Sequence, residues 1–237
     1  MRRAPAFKTE IQILHEDDAI VAVDKPAGLP AVPIPRSSTP SAFAILAGEL
    51  KRRREPAYVV HRIDRFTSGV LLFAKSQEAR ARLVSQFLKH TPVRQYLAVV
   101  RGRVAGSGGQ LVHYMRLEGM FQKVSRADDP KADRAELRYS VERHLRDATL
   151  VRVTLVTGFQ NQIRVQFAAA GHPVIGDRKY RPEEAAERRI ARVALHAASL
   201  EFLHPSSGKR MTIESALPAD MRSLIASLSR TGRAPGG

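Results

Sequence analysis

The chain has 237 residues, 43% of them hydrophobic, enough to bury a substantial core as one large domain or two small ones. Its 39 Lys and Arg outnumber 23 Asp and Glu, giving a formal net charge of +16 that favours a polyanionic partner, although a GC-rich genome alone also enriches Arg and Ala. There is no cysteine, which excludes disulfides, thiolate metal sites and thiol nucleophiles, and no apolar run approaches the roughly 20 residues that span a bilayer.

Residues 1–10 read as a basic flexible leader with no apolar segment behind it, so no secretory signal is expected and the expected location is cytoplasmic. Ile11 to Val23 carries two short apolar runs around Glu16-Asp17-Asp18, which predicts two strands and a turn. Asp24-Lys25-Pro26-Ala27-Gly28-Leu29-Pro30 enforces a second turn, and Pro33, Pro35 and Pro40 extend an irregular path to Ser41, which caps a helix through Leu50. Lys51-Arg52-Arg53-Arg54 is the densest basic run, either a phosphate-contacting loop or a solvated helix end. Tyr58-Val59-Val60 leads into His61-Arg62-Ile63-Asp64-Arg65-Phe66-Thr67-Ser68-Gly69, a dense polar loop that runs straight into the apolar strand Val70–Lys75.

Ser76 caps a helix to about Lys89, with Leu83, Val84, Phe87 and Leu88 at helical spacing. Tyr96–Val100 is a strand, followed by a glycine-rich loop over Gly102–Gly109 that lacks the context of a phosphate cradle. The segment 111–134 reads as polar and irregular. Leu137, Tyr139 and Val141, then Val151, Val153 and Leu155, predict an antiparallel pair. Thr157-Gly158 turns the chain into a helix over Gln160–Ala170 that ends at Gly171. A loop over 172–181, a short helix from Pro182 to about Arg192, strands near 193–203 and 210–214, and a helix from Pro218 to about Ser229 complete the chain, with 231–237 as a frayed tail. Strands recur without βα alternation, and no repeat or linker interrupts them. The expectation is one α+β domain over 11–230 with a mixed, mostly antiparallel central sheet flanked by helices and loops.

Asp64 is the candidate for chemistry. A carboxylate between Arg62 and Arg65 stays ionised at neutral pH, and it serves as a nucleophile, a general base or a structural ion-pair partner. No second carboxylate sits in a comparable setting, the eight histidines show no metal-ligand spacing, and no Gly-x-Ser-x-Gly elbow supports a serine triad. Arg164 sits four residues after Gln160, near a helix start where Asn161 and Gln162 offer donors to an anion; the plainer reading is an amphipathic helix with a solvated Arg. Tyr96 stacks a nucleobase or fills the core.

The stretch His61–Lys75 closely resembles the signature of the RluA family of pseudouridine synthases. Four further segments agree in order: Leu14–Asp18 through Asp24–Gly28; Tyr96–Val100; Gln162–Val165 with Gly171–Asp177; and Leu195-His196-Ala197 with His204-Pro205. The resemblance covers about residues 11 to 217. It implies a nucleophile at Asp64, an active-site aromatic at Tyr96, a basic partner at Arg164 and Arg62 entering the space left by a flipped base, with no cofactor and no metal. RNA contacts are expected from His61, Arg62, Arg65, Asn161, Gln162, Arg52, Arg53 and Arg54. The expected partner is tRNA or rRNA, with no membrane, no obligate protein partner and a monomeric chain. One departure stands out: Phe159 lies where the family usually has a basic residue. It favours the second class of reading, an RNA-binding or folding factor with weak or lost catalysis. A hydrolase built on Asp64 and a histidine is a third.

Overall fold

The computed structural model describes residues 10–119, 121–181 and 187–229. The expected leader (Glu10 apart) and the 231–237 tail lie outside these residues, as does the 182–186 part of the helix expected from Pro182; the described remainder, 187–192, is irregular. The chain forms two compact units, neither of them contiguous in sequence. One runs to Tyr96 and resumes over His196–Ala216; the other holds Leu97–Leu195 and the chain from Leu217 on.

In the first unit, β1 (Gln12–Glu16), β2 (Ile20–Lys25), β4 (Ser68–Ala74) and β10 (Leu195–Leu203) are neighbours in that order, with β3 (Tyr58–Val59) on β4 and β11 (Arg210–Glu214) on β10. The β4–β10 pair is parallel; β1–β2, β2–β4, β3–β4 and β10–β11 are antiparallel, giving the mixed sheet expected. All seven residues of β4 are buried. One face of β2 and β4 (Val21, Val23, Leu71, Phe73) packs on Leu46 and Leu50 of α1 (Ala42–Arg52), and the other (Ile20, Ala22, Leu72, Ala74) on Ala79 and Leu83 of α2 (Gln77–Leu88). A strand covered on both sides reads as one apolar run, which is how Val70–Ala74 reads. Both helices start at the predicted caps: the side chains of Ser41 and Ser76 accept hydrogen bonds from the amides of Ala44 and Ala79 at 3.1 and 3.0 Å.

Gly69 is required where β4 meets both neighbours. Its φ is +111°, and a Cβ there would lie 2.1 Å from the carbonyl oxygen of Ala197 on β10. Gly69→Ala must therefore push the parallel pair apart. We expect a loss of about 3 kcal/mol or more, read from the midpoint of urea unfolding; an unchanged midpoint would show that the strands part freely.

The second unit has β9 (Ala148–Leu155), β8 (Asp133–His144), β6 (Gly108–Glu118) and β7 (Phe121–Ser125) in that order, with β9 also beside β5 (Val93–Arg101), in which the chain crosses from one unit to the other. The predicted pairing of β8 and β9 holds in register: Leu137, Tyr139 and Val141 face Leu155, Val153 and Val151. The expectation for 111–134 does not hold. Most of that segment is the β6–β7 hairpin and the start of β8, and the expected Gly102–Gly109 loop gives up Gly108 and Gly109 to β6. The hairpin escaped the pattern because apolar residues lie on both its faces, Leu111, Met115 and Leu117 on one and Val112, Tyr114 and Phe121 on the other, so no clean alternation marks it. Helix α3 (Gln162–Ala169) starts two residues later than predicted, leaving Gln160 outside it. Helix α4 (Ala219–Ser229) buries Met221, Leu224, Ile225 and Leu228.

Candidate active site

The loop bearing Asp64 is tied down by its backbone. The amide of Thr67 donates to the carbonyl of Asp64 at 3.1 Å, closing a turn with Arg65 and Phe66 at its corners. Ile63 and Thr67 are buried on either side. Gly28, at φ +89°, donates its amide to the Arg65 carbonyl at 2.8 Å and accepts from Arg65 Nε at 2.8 Å. Under this junction lies Lys25, fully buried, whose ammonium donates to the carbonyls of Pro26, Leu29 and Arg65 at 3.0, 2.8 and 3.1 Å. A buried cation is tolerable only with such partners. Asp64 itself is half-buried.

His61 fixes the start of the loop. Its Nε2 accepts the amide hydrogen of Leu72 at 3.0 Å, extending the β4 edge beyond β3, and its ring stacks on Phe87 of α2 with centroids 4.6 Å apart. Burial, then the nearby Arg94 cation, push its pKa down to about 3. The ring is therefore neutral at pH 7, with its proton on Nδ1. Tyr96, also in this unit, is raised to about 12, chiefly by burial; Arg94 opposes the rise and the Asp64 carboxylate adds to it. Asp64 and Tyr96 are thus within electrostatic reach of each other, and Tyr96 presents an un-ionised phenol.

In the second unit Arg164 is buried. Its guanidinium makes a two-pronged pair with Asp177 (Nε to Oδ2 2.8 Å, Nη2 to Oδ1 2.6 Å), donates from Nη1 to Asn161 Oδ1 at 2.6 Å, and sits 5.2 Å from the Tyr180 ring centroid. Asp177 accepts two further hydrogen bonds, from the amides of Lys179 and Tyr180. The solvated-Arg reading of this helix fails, because α3 is buried on all sides from Gln162 to Ala168. Asn161 takes the left-handed conformation at φ 56°, which Asn tolerates, and turns its side chain to Arg164 instead of capping the helix.

A family model for RNA pseudouridylate synthase matches residues 19–169, a span that includes Asp64, Tyr96 and Arg164. A ribosomal large subunit pseudouridine synthase D of Zymomonas mobilis is 33% identical over 94% of this chain and 74% of its own length. A ribosomal large subunit pseudouridine synthase C of Escherichia coli is 35% identical over 91% of this chain and 69% of its own. The chain belongs to the RluA family of RNA pseudouridine synthases. The solved structure of human RNA pseudouridylate synthase domain containing 4 shares the fold, with a TM-score of 0.77 at 22% identity over 91% of this chain and 92% of that one. The human domain containing 1 protein has a TM-score of 0.72 at 21% identity over 94% and 96%.

Three of the residues expected to touch RNA in this pseudouridine synthase have other work. His61 is a backbone acceptor packed on Phe87, as above. Asn161 is buried against Arg164. Gln162, also buried, donates to the Glu136 carbonyl and to Gln166, and accepts from Thr157 and the Phe159 amide. Of the basic run, Lys51 and Arg52 end α1, and Arg53 pairs with Glu16 at 2.5 Å and with Glu55 at 3.3 Å. Arg52, Arg53, Arg54, Arg62 and Arg65 are exposed. Phe159 packs against the cluster of Met115, Ala135 and Val165. An apolar ring at this position has a packing reason, and its presence no longer favours lost catalysis. The roles of Lys25 and Arg94 carry no signal in the sequence: nothing in a Lys at the end of a strand signals full burial, and an Arg two residues before Tyr96 reads as an ordinary strand cation.

The neutral state of His61 predicts a pH dependence. Unfolding returns its pKa to about 6.5, so the unfolded chain binds the extra proton between about pH 6.5 and 3. Stability from this group is complete above 6.5 and falls as pH drops through that window, by at most ~1.4 kcal/mol per pH unit. His61→Gln, which keeps an acceptor but does not titrate, should unfold at a lower temperature at pH 7 and show a flatter decline to pH 4. Parallel curves for the two proteins would contradict it.

Proposed function

We propose that this protein isomerises specific uridines of large-subunit ribosomal RNA, with Asp64 as the nucleophile. The observation that carries the reading is Asp64 on a backbone-locked turn at the mouth of β4, with the un-ionised Tyr96 in its field, in a chain of this family. The printed names of the relatives favour ribosomal RNA over tRNA. Cytoplasmic action fits that substrate; among the described residues no helix is long and apolar enough to cross a membrane. The two units are interleaved in sequence, which supports treating 11–230 as one catalytic domain.

The reaction breaks the N1–C1′ bond, turns the uracil and forms C5–C1′, with the proton leaving C5 and one returning to N1. Atoms and electrons balance within the nucleotide. A uridine inside folded RNA must first be flipped out, at a few kcal/mol, which phosphate contacts offset. Asp64 opens the sequence as the nucleophile, Tyr96 stacks on the extruded uracil, and Arg62 fills the space left behind. Arg164 is the basic partner that the resemblance assigns to the site. Arg52, Arg54 and Arg65 contact phosphates.

The test is to incubate the protein with total RNA from a strain lacking its gene and to map pseudouridines by carbodiimide modification and primer extension. New sites in large-subunit RNA are expected. New sites only in tRNA would move the substrate; no new site in any RNA, with RNA binding retained, would overturn the enzymatic reading.

A further inference from the structure

We propose that His196 is a positioning residue for Asp64: through Ser68 it fixes where the turn bearing the carboxylate enters β4. His196 is fully buried on β10, and the parallel β4–β10 register couples it with Ser68 and its neighbour Ala197 with Gly69. Its two ring nitrogens meet different partners. Nε2 lies 3.0 Å from the carbonyl oxygen of Ser215, which can only accept, so Nε2 carries a hydrogen. Nδ1 lies 3.0 Å from Ser68 Oγ and, in the neutral ring, accepts the hydroxyl hydrogen. Ser215 follows β11; it donates from its amide to the Ala198 carbonyl at 2.9 Å and from Oγ to Asp24 Oδ1 at 3.0 Å. Asp24 lies on β2, opposite Val70. The contacts Ser68–His196–Ser215–Asp24 therefore join the start of β4 to the strands on both its sides.

A buried histidine with both nitrogens bonded is commonly just a satisfied core residue. This one differs in what it holds. Ser68 directly follows Thr67, whose amide donates to the Asp64 carbonyl. Lys25 and Gly28 secure the same turn from the β2 side, at the Arg65 carbonyl. His196 secures it from the β10 side. The strands have no slack between them, since a Cβ on Gly69 would lie 2.1 Å from the Ala197 carbonyl oxygen. A shift of β10 at His196 is thus passed to β4 and to the turn. Attack by a carboxylate needs its oxygen within about 3–3.5 Å of the reacting atom and aligned with it, and a misplacement of about 1 Å costs on the order of 10² in rate. The side chain of His196 touches neither RNA nor the reacting atoms in this role; it acts through Ser68.

This inference rests on the reading of Asp64 as the nucleophile of an RNA pseudouridine synthase, and the experiment separates the two. The probe is large-subunit RNA labelled with tritium at uridine C5, with every rate measured below the unfolding transition of the variant. Three substitutions divide the network. Ser68→Ala removes the hydroxyl. His196→Gln puts an amide near the place of Nε2, keeping a donor for the Ser215 carbonyl but no acceptor for Ser68. His196→Asn puts a carbonyl oxygen near the place of Nδ1 and keeps the Ser68 contact. Ser68→Ala and His196→Gln should each lower kcat by about ten-fold or more with KM within about two-fold of the wild type, and His196→Asn should stay within about three-fold in both. The Ser68→Ala/His196→Gln pair should be no slower than the slower single variant, because both remove one interaction. Leu83→Ala, a core variant on α2 outside the network, should lose stability and keep its kcat. Wild-type kcat in Ser68→Ala, a deficit in His196→Asn as large as in His196→Gln, or an equal deficit in Leu83→Ala would each overturn the positioning role. If the His196 variants do not fold, Ser68→Ala against Leu83→Ala decides. A wild-type protein that converts no uridine, or an Asp64→Asn variant that turns over normally, would overturn the underlying reading, and this inference with it.

Discussion

Asp64→Asn should form pseudouridine at least ~10⁴-fold more slowly than the wild type, with RNA binding and fold retained. The magnitude is that expected for deleting the nucleophile proposed for this site. The turn that carries Asp64 is held by the backbone of Asp64, Arg65 and Gly28 and by Lys25, so an amide in place of the carboxylate should leave these contacts standing. The measurement follows from the chemistry. Joining C1′ to C5 displaces the C5 hydrogen, so RNA labelled with tritium at uridine C5 releases its label on conversion. The variant should release none above background while retaining RNA on filters as the wild type does. Turnover within about ten-fold of the wild type would end the nucleophile assignment. Turnover lost together with thermal stability would place Asp64 among the structural residues.

Much of the first unit could be read from sequence because its local signals agree with its packing. Ser41 and Ser76 cap helices, and the continuous apolar run of β4 matches burial on both faces. The polar loop ahead of β4 was visible as a density of charge around one carboxylate. What the sequence hid is what depends on distant partners. Lys25 looks like an ordinary residue at the end of a strand, but three carbonyls from two loops converge on it. The β6–β7 hairpin mixes apolar and polar residues on both faces, so period-two alternation is blurred there although the ladder forms. In α3 the pattern points to an amphipathic surface helix, yet Gln162 and Gln166 are buried because they bond to carbonyls of β6 and β8: Gln162 to Glu136, Gln166 to Leu111 and Ala135. Side chains of this kind signal polarity, and only the fold decides whether that polarity meets water or backbone.

Arg164→Met should destabilise the protein by about 3–5 kcal/mol, the cost of leaving a buried carboxylate without its cation. Asp177 is 1% exposed and would keep only its backbone donors, and Asn161 Oδ1 would lose its donor as well. Met matches much of the Arg volume, so lost packing is a minor part. A second substitution distinguishes the causes. If the unpaired charge dominates, Arg164→Met with Asp177→Leu should recover most of the loss, a coupling seen in urea unfolding as non-additivity. A loss under about 1 kcal/mol for Arg164→Met alone would mean that the pair contributes little. The same measurement bears on catalysis. The guanidinium that the family resemblance assigns to the site is held by Asp177, Asn161 and Tyr180, so an inactive Arg164 variant reports on chemistry only where it is folded. Asp177→Asn is the companion: it weakens the clamp but keeps the cation. Activity retained by Asp177→Asn and lost by Arg164→Met, both measured well below their unfolding transitions, would assign the charge of Arg164 to the reaction and the geometry of Asp177 to the fold.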